Sequence, residues 1–201
     1  MRASPLATEP APPTTAAAAG STSGNEGLSA LAAVYRDHHA YVHRVLGRLG
    51  VPVDLVDDAL QDVFLVVHRR LGEFEGRSAL RTWLFSIALR IARKYRASAA
   101  RRPEPLAAPI VDARESPEDL ADRRRALALL DALLAQLSDD RREVLVLCEI
   151  ERLSAPEAAE VLGLKLNTVY SRLRLARQDF ERAVQRLQAR EQRLARPRRS
   201  A

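Results

Sequence analysis

The chain has 201 residues, a formal net charge of +6, and 47% hydrophobic residues, of which few are aromatic. That length allows one or two small domains. No apolar run approaches the roughly 20 residues needed to span a bilayer, so membrane insertion is not expected. The single cysteine, Cys148, excludes a disulfide framework; among Val144, Leu145, Leu147 and Ile150 it reads as a small buried hydrophobe.

The positive charge is almost entirely arginine, with Lys94 and Lys165 the only lysines. A planar, bidentate guanidinium suits phosphate and guanine, although a GC-rich genome also enriches arginine, alanine and leucine. Alanine and leucine dominate the apolar content and β-branched residues are sparse, which favours helices over strands.

Residues 1–27, rich in Ala, Pro, Thr, Ser and Gly, have too little to bury to offset ordering entropy and are expected to be disordered. They lack the continuous hydrophobic region of a signal peptide, so the expected location is the cytoplasm. Residues 28–98 carry continuous helical periodicity. Leu31, Val34 and Tyr35, then Val42, Val45, Leu46 and Leu49, mark a first amphipathic helix, broken at Gly50 and Pro52. Asp54 is expected to start a second helix, with Leu55, Ala59, Leu60, Val63, Phe64, Val67 and Leu71 inward. Its acidic first half (Asp54, Asp57, Asp58, Gln61, Asp62) complements the helix dipole and repels DNA, which suits a basic protein partner.

After a loop at Gly72–Gly76, Ser78 is expected to open a third helix. Leu80, Trp83, Leu84, Ile87, Ala88, Ile91 and Tyr95 form its inner side. Thr82, Phe85, Ser86, Leu89, Arg93 and Arg96 face outward, with Arg77 and Arg81 at its start. Arginines interleaved with exposed aromatics are the chemistry of single-strand binding. Core packing is the competing role for Trp83 and Phe85.

Residues 99–119 hold Pro103, Pro105, Pro109 and Pro117 and read as a flexible linker. A second helical unit follows over 120–187. Leu120–Leu137 forms one helix, and Ser138 caps a second that runs to about Ile150. Ser154 and Glu157 have capping-box spacing. Gly163 fits the left-handed position after a last turn, and Asn167 and Thr168 are placed to cap the next helix. This is helix–turn–helix grammar, whose second helix enters a DNA major groove. On that helix Val169, Leu173, Ala176, Phe180, Ala183, Val184 and Leu187 fall on the core side. Tyr170, Ser171, Arg174, Gln178 and Arg182 lie opposite, with Arg172 and Arg177 at the margins. Residues 188–201 are a frayed basic tail. The expected fold class is all-α: two small helical domains joined by a flexible linker.

Together these strings resemble an extracytoplasmic-function (ECF) sigma factor of the sigma-70 family. Asp57 to Phe64 is similar to that family's polymerase-binding helix. Phe74 to Ser78 and Thr82 to Ala88 are similar to its promoter-opening segment, and Leu153 to Leu173 to its helix–turn–helix. The resemblance implies that Asp58, Gln61, Asp62 and Phe64 bind the β′ clamp helices of core RNA polymerase. Phe74, Arg77, Ser78, Arg81, Thr82, Trp83, Ser86, Arg90 and Arg93 would capture the minus-ten element. Lys165, Asn167, Thr168, Tyr170, Ser171, Arg172, Arg174 and Arg177 would read the minus-thirty-five element, in a unit that also touches the polymerase β flap. It further implies promoter DNA as ligand, control by an anti-sigma factor in a stress or envelope response, and a monomer outside the holoenzyme. The chain departs from the family's usual spelling at Arg90, Lys94, Asn167 and Tyr170.

Two other readings compete. A free-standing helix–turn–helix regulator with a phosphoacceptor domain requires strands in the first half, and none is expected. A metal enzyme would use His39 and His43 at i, i+4, but no glutamate general base lies between them and no phosphate loop occurs. No catalytic residue, metal or other cofactor is expected.

Overall fold

The computed structural model describes residues 21–101 and 117–195. The expected disorder of residues 1–20, most of the linker (102–116) and the end of the tail (196–201) lie outside the described residues. The first unit is α1 (Ser21–Arg48), α2 (Val56–Arg70) and α3 (Leu80–Ala99). The second is α4 (Pro117–Leu134), α5 (Asp139–Leu145), α6 (Ala155–Leu162) and α7 (Leu166–Ala195). Among the described residues every regular element is helical, and no helix is long and apolar enough to cross a membrane.

Several boundaries differ from expectation for local reasons. Helix α1 begins at Ser21, inside the stretch expected to be disordered; once a helix is nucleated, each added residue gains one backbone bond. Gly50, at φ +83°, ends the first helix as its position demands. Pro52 then leads into a 3₁₀ turn over Val53–Leu55, so Asp54 lies in a turn and α2 starts at Val56. Ser78 does not open α3, whose N-cap is Ala79 without a side-chain cap. Pro117 belongs to α4 rather than to the linker, because proline fits a first helical turn whose N–H groups have no intrahelical acceptor. Helix α7 runs to Ala195, beyond the expected end near Leu187.

Helix α3 lies against both α1 and α2, and this overturns part of its predicted outer face. Phe85 and Leu89, expected outward, are 0% and 1% exposed, and the Arg96 side chain is 11% exposed. A helix seated between two others is buried over a wider arc than a single amphipathic stripe predicts. The first unit's core is Val42, Val45, Leu46 and Leu49 of α1, Val56, Ala59, Val63 and Val67 of α2, and Leu84, Ile87, Ala88 and Ala92 of α3. Each fully buried Val, Leu or Ile contributes about 1.5–3 kcal/mol.

In the second unit, α5 passes into one π-helical turn at Val146–Ile150, where the Glu151 N–H reaches the Val146 carbonyl. Arg152 follows at φ +62°, the only positive φ outside glycine among the described residues. Ser138 stands at the N-cap of α5, but its hydroxyl makes no cap bond. A continuous apolar cluster joins Leu134, Leu137, Val144–Leu147, Ala158, Leu162, Val169, Leu173 and Ala176 to the first unit's core.

The seam between the units is polar and tightly paired. Arg142, 8% exposed, donates to the Leu134, Ala135 and Leu137 carbonyls at 2.9, 3.3 and 3.1 Å and to Leu49 O at 3.4 Å. One guanidinium thereby satisfies carbonyls at the ends of α4 and α1, where helices leave such acceptors free. Arg96 also donates to Leu49 O. Glu143, 2% exposed, accepts from Arg93 Nη2 and from Arg96 Nη2, each at 2.6 Å. Glu151 accepts from the Tyr41 hydroxyl at 2.8 Å and pairs with Arg81 at 3.5 Å, and the Arg81 guanidinium lies over the Tyr41 ring.

Candidate nucleic-acid interface

Three surfaces carry the predicted site residues. On the first, Asp57 and Asp58 project from the opening turn of α2, where the helix dipole favours carboxylates. Beside them a cleft of about 510 Å³ opens between α1 and α2, lined by Leu31, Tyr35, Asp57, Leu60, Gln61 and Phe64, among others. Asp58 and Gln61 are exposed. Phe64 is only 7% exposed and packs edge-on against Tyr35 at 4.7 Å, so it forms the cleft floor rather than projecting. Asp62 turns toward α3 and accepts from Lys94 Nζ at 3.0 Å and the Tyr95 hydroxyl at 3.1 Å.

On the second surface, the non-helical stretch Phe74–Ser78 leads into α3. Gly76 takes φ +69° in this stretch, and Arg77 pairs with Glu75 at 2.6 Å. Phe74 and Trp83 are both half-buried, with ring centroids 5.2 Å apart, so the core and surface roles weighed for Trp83 are shared by one ring. Thr82, Ser86, Arg90 and Arg93 follow at helical spacing along one side of α3. Arg90 and Arg93 are exposed, and Thr82 and Ser86 are half-buried. Ser86 Oγ donates to the Trp83 carbonyl at 2.8 Å. Arg81 and Arg93 are not free, since each meets a second-unit carboxylate.

On the third surface, the expected capping box is formed. Ser154 N–H donates to Glu157 Oε2 at 2.8 Å, and Glu157 N–H reaches Ser154 Oγ at 3.4 Å. The Ser154 hydroxyl and N–H hold the Glu157 carboxyl below its ordinary range. Gly163 ends α6 in the left-handed region at φ +67°. Asn167 and Thr168 do not cap α7, because the Lys165 carbonyl already accepts from the Thr168 and Val169 N–H groups. This places Asn167 and Thr168 in the first turn, at the end that would meet base edges. Lys165, Asn167, Tyr170, Ser171 and Arg174 are exposed, Tyr170 by 54%. Arg172 and Arg177, expected at the phosphate margins, pair with Asp140 at 2.8 Å and Glu149 at 2.6 Å. They brace α7 against the element carrying those acids.

The seam residues Tyr41, Arg142, Glu143 and Glu151 were not among the predicted site residues. The signal for two of them was present: Arg142-Glu143 sits between Leu137 and an apolar run, Val144–Leu147, where charge is buried only if paired. The burial of Glu143 pushes its carboxyl pKa up, but the hydrogen bonds and charges of Arg93 and Arg96 outweigh this and leave it below the ordinary value. Burial also lowers the Arg142 pKa. Among the described residues no group of three or more His, Cys, Asp or Glu is arranged to hold a metal. His39 Nδ1 instead lies 3.2 Å from its own helix carbonyls.

Comparison with known proteins places both units. The description "Sigma-70 region 2" matches residues 34–102, and "Sigma-70, region 4" matches residues 127–180. The chain is 33% identical over 159 residues to the RNA polymerase sigma-H factor of Pseudomonas aeruginosa, covering 72% of this chain and 82% of that one. It is 32% identical over 170 residues to the RNA polymerase sigma factor CnrH of Cupriavidus metallidurans, covering 80% and 88%. It is 29% identical over 158 residues to the ECF RNA polymerase sigma-E factor of Escherichia coli, covering 72% and 83%. Among solved structures, CnrH in complex with the cytosolic domain of CnrY aligns with a TM-score of 0.58 at 29% identity, covering 81% of this chain and 91% of that one.

Proposed function

This chain belongs to the extracytoplasmic-function group of sigma-70 family sigma factors, and from that premise we propose how its residues divide the work of promoter-specific initiation. The protein is an initiation factor that binds core RNA polymerase and promoter DNA, and not a catalyst. Residues 28–98 form the polymerase-binding and minus-ten unit, and residues 120–187 the minus-thirty-five unit. Asp58 and Gln61 supply the polar rim for the β′ clamp helices, and the Phe64 cleft supplies the apolar floor. Phe74, Arg77 and Ser78 receive unstacked minus-ten bases beside Trp83, while Arg81, Thr82, Ser86, Arg90 and Arg93 hold the strand.

Lys165, Asn167, Thr168, Tyr170 and Ser171 meet the minus-thirty-five major groove, and Arg174 a phosphate. A second cleft, lined mainly by Leu130, Leu134, Leu145, Ile150 and Phe180, offers the β flap an apolar seat. Control by an anti-sigma factor belongs to the same reading, and CnrH, solved in complex with the cytosolic domain of CnrY, is a similar protein held by a protein partner. The site of action is the cytoplasm, with the polymerase.

The observation that carries this reading is the Phe74–Trp83 pair at the head of a basic helix, in one chain with a capped helix–turn–helix. The test is transcription in vitro with core polymerase and a promoter mapped from transcript starts after overexpression. Trp83→Ala is expected to leave core binding intact and to abolish strand opening, read by permanganate reactivity of unpaired thymines. Unchanged opening overturns the assignment. The stand-alone regulator is not favoured: it requires tight duplex binding without polymerase and a strand-containing first half.

A further inference from the structure

The start of α7 exposes two large apolar side chains at the end that would meet base edges. Leu166 is 39% exposed and Tyr170 54%. They stand at i, i+4 and so lie on one side of the helix. The core does not take them. Val169, Leu173 and Ala176 turn inward at 7% exposure or less, and Leu164, before the helix, packs against the core. Leu166 is not among the sequence-predicted contacts.

The neighbouring groups narrow what this tip can read. A guanine edge in the major groove is taken most often by a forked arginine or a lysine on O6 and N7. The first arginine of α7 is Arg172, and its Nη2 pairs with Asp140 at 2.8 Å. Arg177 pairs with Glu149, and Arg174 stands about two turns beyond Leu166. The Ser171 hydroxyl donates to the Thr168 carbonyl at 2.9 Å, so its hydrogen is already used within the helix. Lys165 precedes the helix, where a flexible point charge suits the phosphate backbone. Leu166, Tyr170 and the exposed Asn167 amide are left for base edges. A carboxamide fits the N6 and N7 edge of adenine, and the thymine C5-methyl is the apolar group that the major groove presents. An apolar pair beside an amide therefore complements A·T pairs and offers guanine little.

We propose that the tip of α7 selects A·T pairs in the minus-thirty-five element: Tyr170, with Leu166 beside it, packs on a thymine methyl, and Asn167 pairs with the N6 and N7 edge of an adenine. The proposal rests on the reading of α7 as the minus-thirty-five helix. The Tyr170 ring supplies the contact, not its hydroxyl. Burying one methyl changes affinity by about 4-fold, and a bidentate amide–adenine pair by about 5-fold or more.

The test measures holoenzyme binding to a promoter duplex mapped from transcript starts. Each thymine of the minus-thirty-five element is replaced in turn by deoxyuridine, which removes only the C5-methyl. Each adenine is replaced in turn by 7-deazaadenine, which removes the N7 acceptor. Wild type is expected to lose about 3-fold or more at one thymine and about 5-fold at one adenine. Tyr170→Ala should bind the thymine and uracil duplexes equally, Tyr170→Phe should keep the wild-type difference, and Leu166→Ala should shrink it. Asn167→Ala should lose the 7-deaza effect. These positions are exposed, so circular dichroism should show unchanged helix content. A mapped element without A·T pairs overturns the proposal, as does wild-type binding that ignores every methyl. So does a methyl effect that survives Tyr170→Ala, a 7-deaza effect that survives Asn167→Ala, or Tyr170→Phe behaving as Tyr170→Ala. A methyl effect of full size in Leu166→Ala overturns the part given to Leu166. Scrambling the whole element tests the underlying reading separately. If scrambling leaves wild-type binding unchanged, α7 does not read the element. If scrambling weakens binding while methyl and N7 removal do not, only the A·T selection fails.

Discussion

Arg142 of the second unit occupies the space where a side chain on Gly50 of the first unit would begin, with Nη1 1.7 Å from the ideal Cβ position. Gly50 also holds φ +83°. Gly50→Ala therefore acts twice. The left-handed backbone costs roughly 1–2 kcal/mol with a Cβ present, and Arg142 must swing aside from Leu49 O. The arginine is flexible enough to move, so the protein is expected to fold with a lower thermal midpoint. Circular dichroism melting checks the midpoint, and a scattering profile should show looser units.

Glu143 makes seam stability depend on pH. Its folded pKa lies below the ordinary value: burial raises it, but pairing with Arg93 and Arg96 lowers it more. The unfolded carboxyl binds protons first, near pH 4.3. Its contribution is therefore fully present above that pH and is lost as pH falls through the lower folded pKa. The other charged groups near it, Arg142 and Asp139 (the latter paired to Arg96 at 3.1 Å), move with the same seam. Urea midpoints measured from pH 7 to pH 3 are expected to hold steady and then fall, and Glu143→Gln to flatten the drop relative to wild type. Asp179, lowered mainly by Arg141, titrates in the same direction within the second unit and remains in both proteins.

The capping box is a local test of the helix–turn–helix. Ser154→Ala removes the Glu157 N–H acceptor and the hydroxyl that donates to Glu157 Oε2 at 2.6 Å. A loss of about 1 kcal/mol is expected. Because the two side chains form one reciprocal unit, Glu157→Ala added to Ser154→Ala should cost less than the sum of the single changes. Denaturant unfolding of all three variants measures that coupling.

What could be read in advance follows the range of the forces involved. The Ser154–Glu157 box and the Gly163 stop depend on neighbours a few residues away, and their spacing announced both. Periodicity places Phe85 and Leu89 outward because it describes a helix with one buried stripe, whereas α3 meets two other helices. The pairing of Arg172 and Arg177 with Asp140 and Glu149 is not legible locally, because those partners lie 32 and 28 residues away in the chain. The seam was illegible for the same reason: Tyr41 and Glu151 are separated by 110 residues, and only tertiary packing brings them together. Arginine counts show that phosphate can be bound, but not which arginines are already taken by the protein's own acids.

Asp58 and Asp62 separate binding from stability on α2. Asp58 is exposed, so Asp58→Ala is expected to weaken association with core polymerase while changing folding stability by less than about 0.5 kcal/mol. Asp62 ties α2 to Lys94 and Tyr95, so Asp62→Ala is expected to lower the melting temperature as well. Burial and the Asp62 pairing both raise the Tyr95 pKa, burial more strongly; the phenol therefore titrates at lower pH in Asp62→Ala, which ultraviolet difference spectra follow. Equal effects of the two variants on polymerase binding, with no difference in melting, would refute this division.

Arg174 and Arg172 make the corresponding pair on α7. Arg174 is exposed, whereas Arg172 spends its charge on Asp140 at 2.8 Å. If Arg174 holds one phosphate, Arg174→Ala should reduce the slope of log affinity against log salt by about 0.9 for a duplex minus-thirty-five site, with stability unchanged. Arg172→Ala should leave that slope nearly intact and destabilise the second unit, because Asp140 then loses its brace to α7. Holoenzyme binding to promoter DNA across a salt series, set beside melting curves of the free variants, distinguishes the two. A slope that falls for Arg172→Ala and not for Arg174→Ala would exchange their roles and would mean that Asp140 releases its arginine to the DNA backbone.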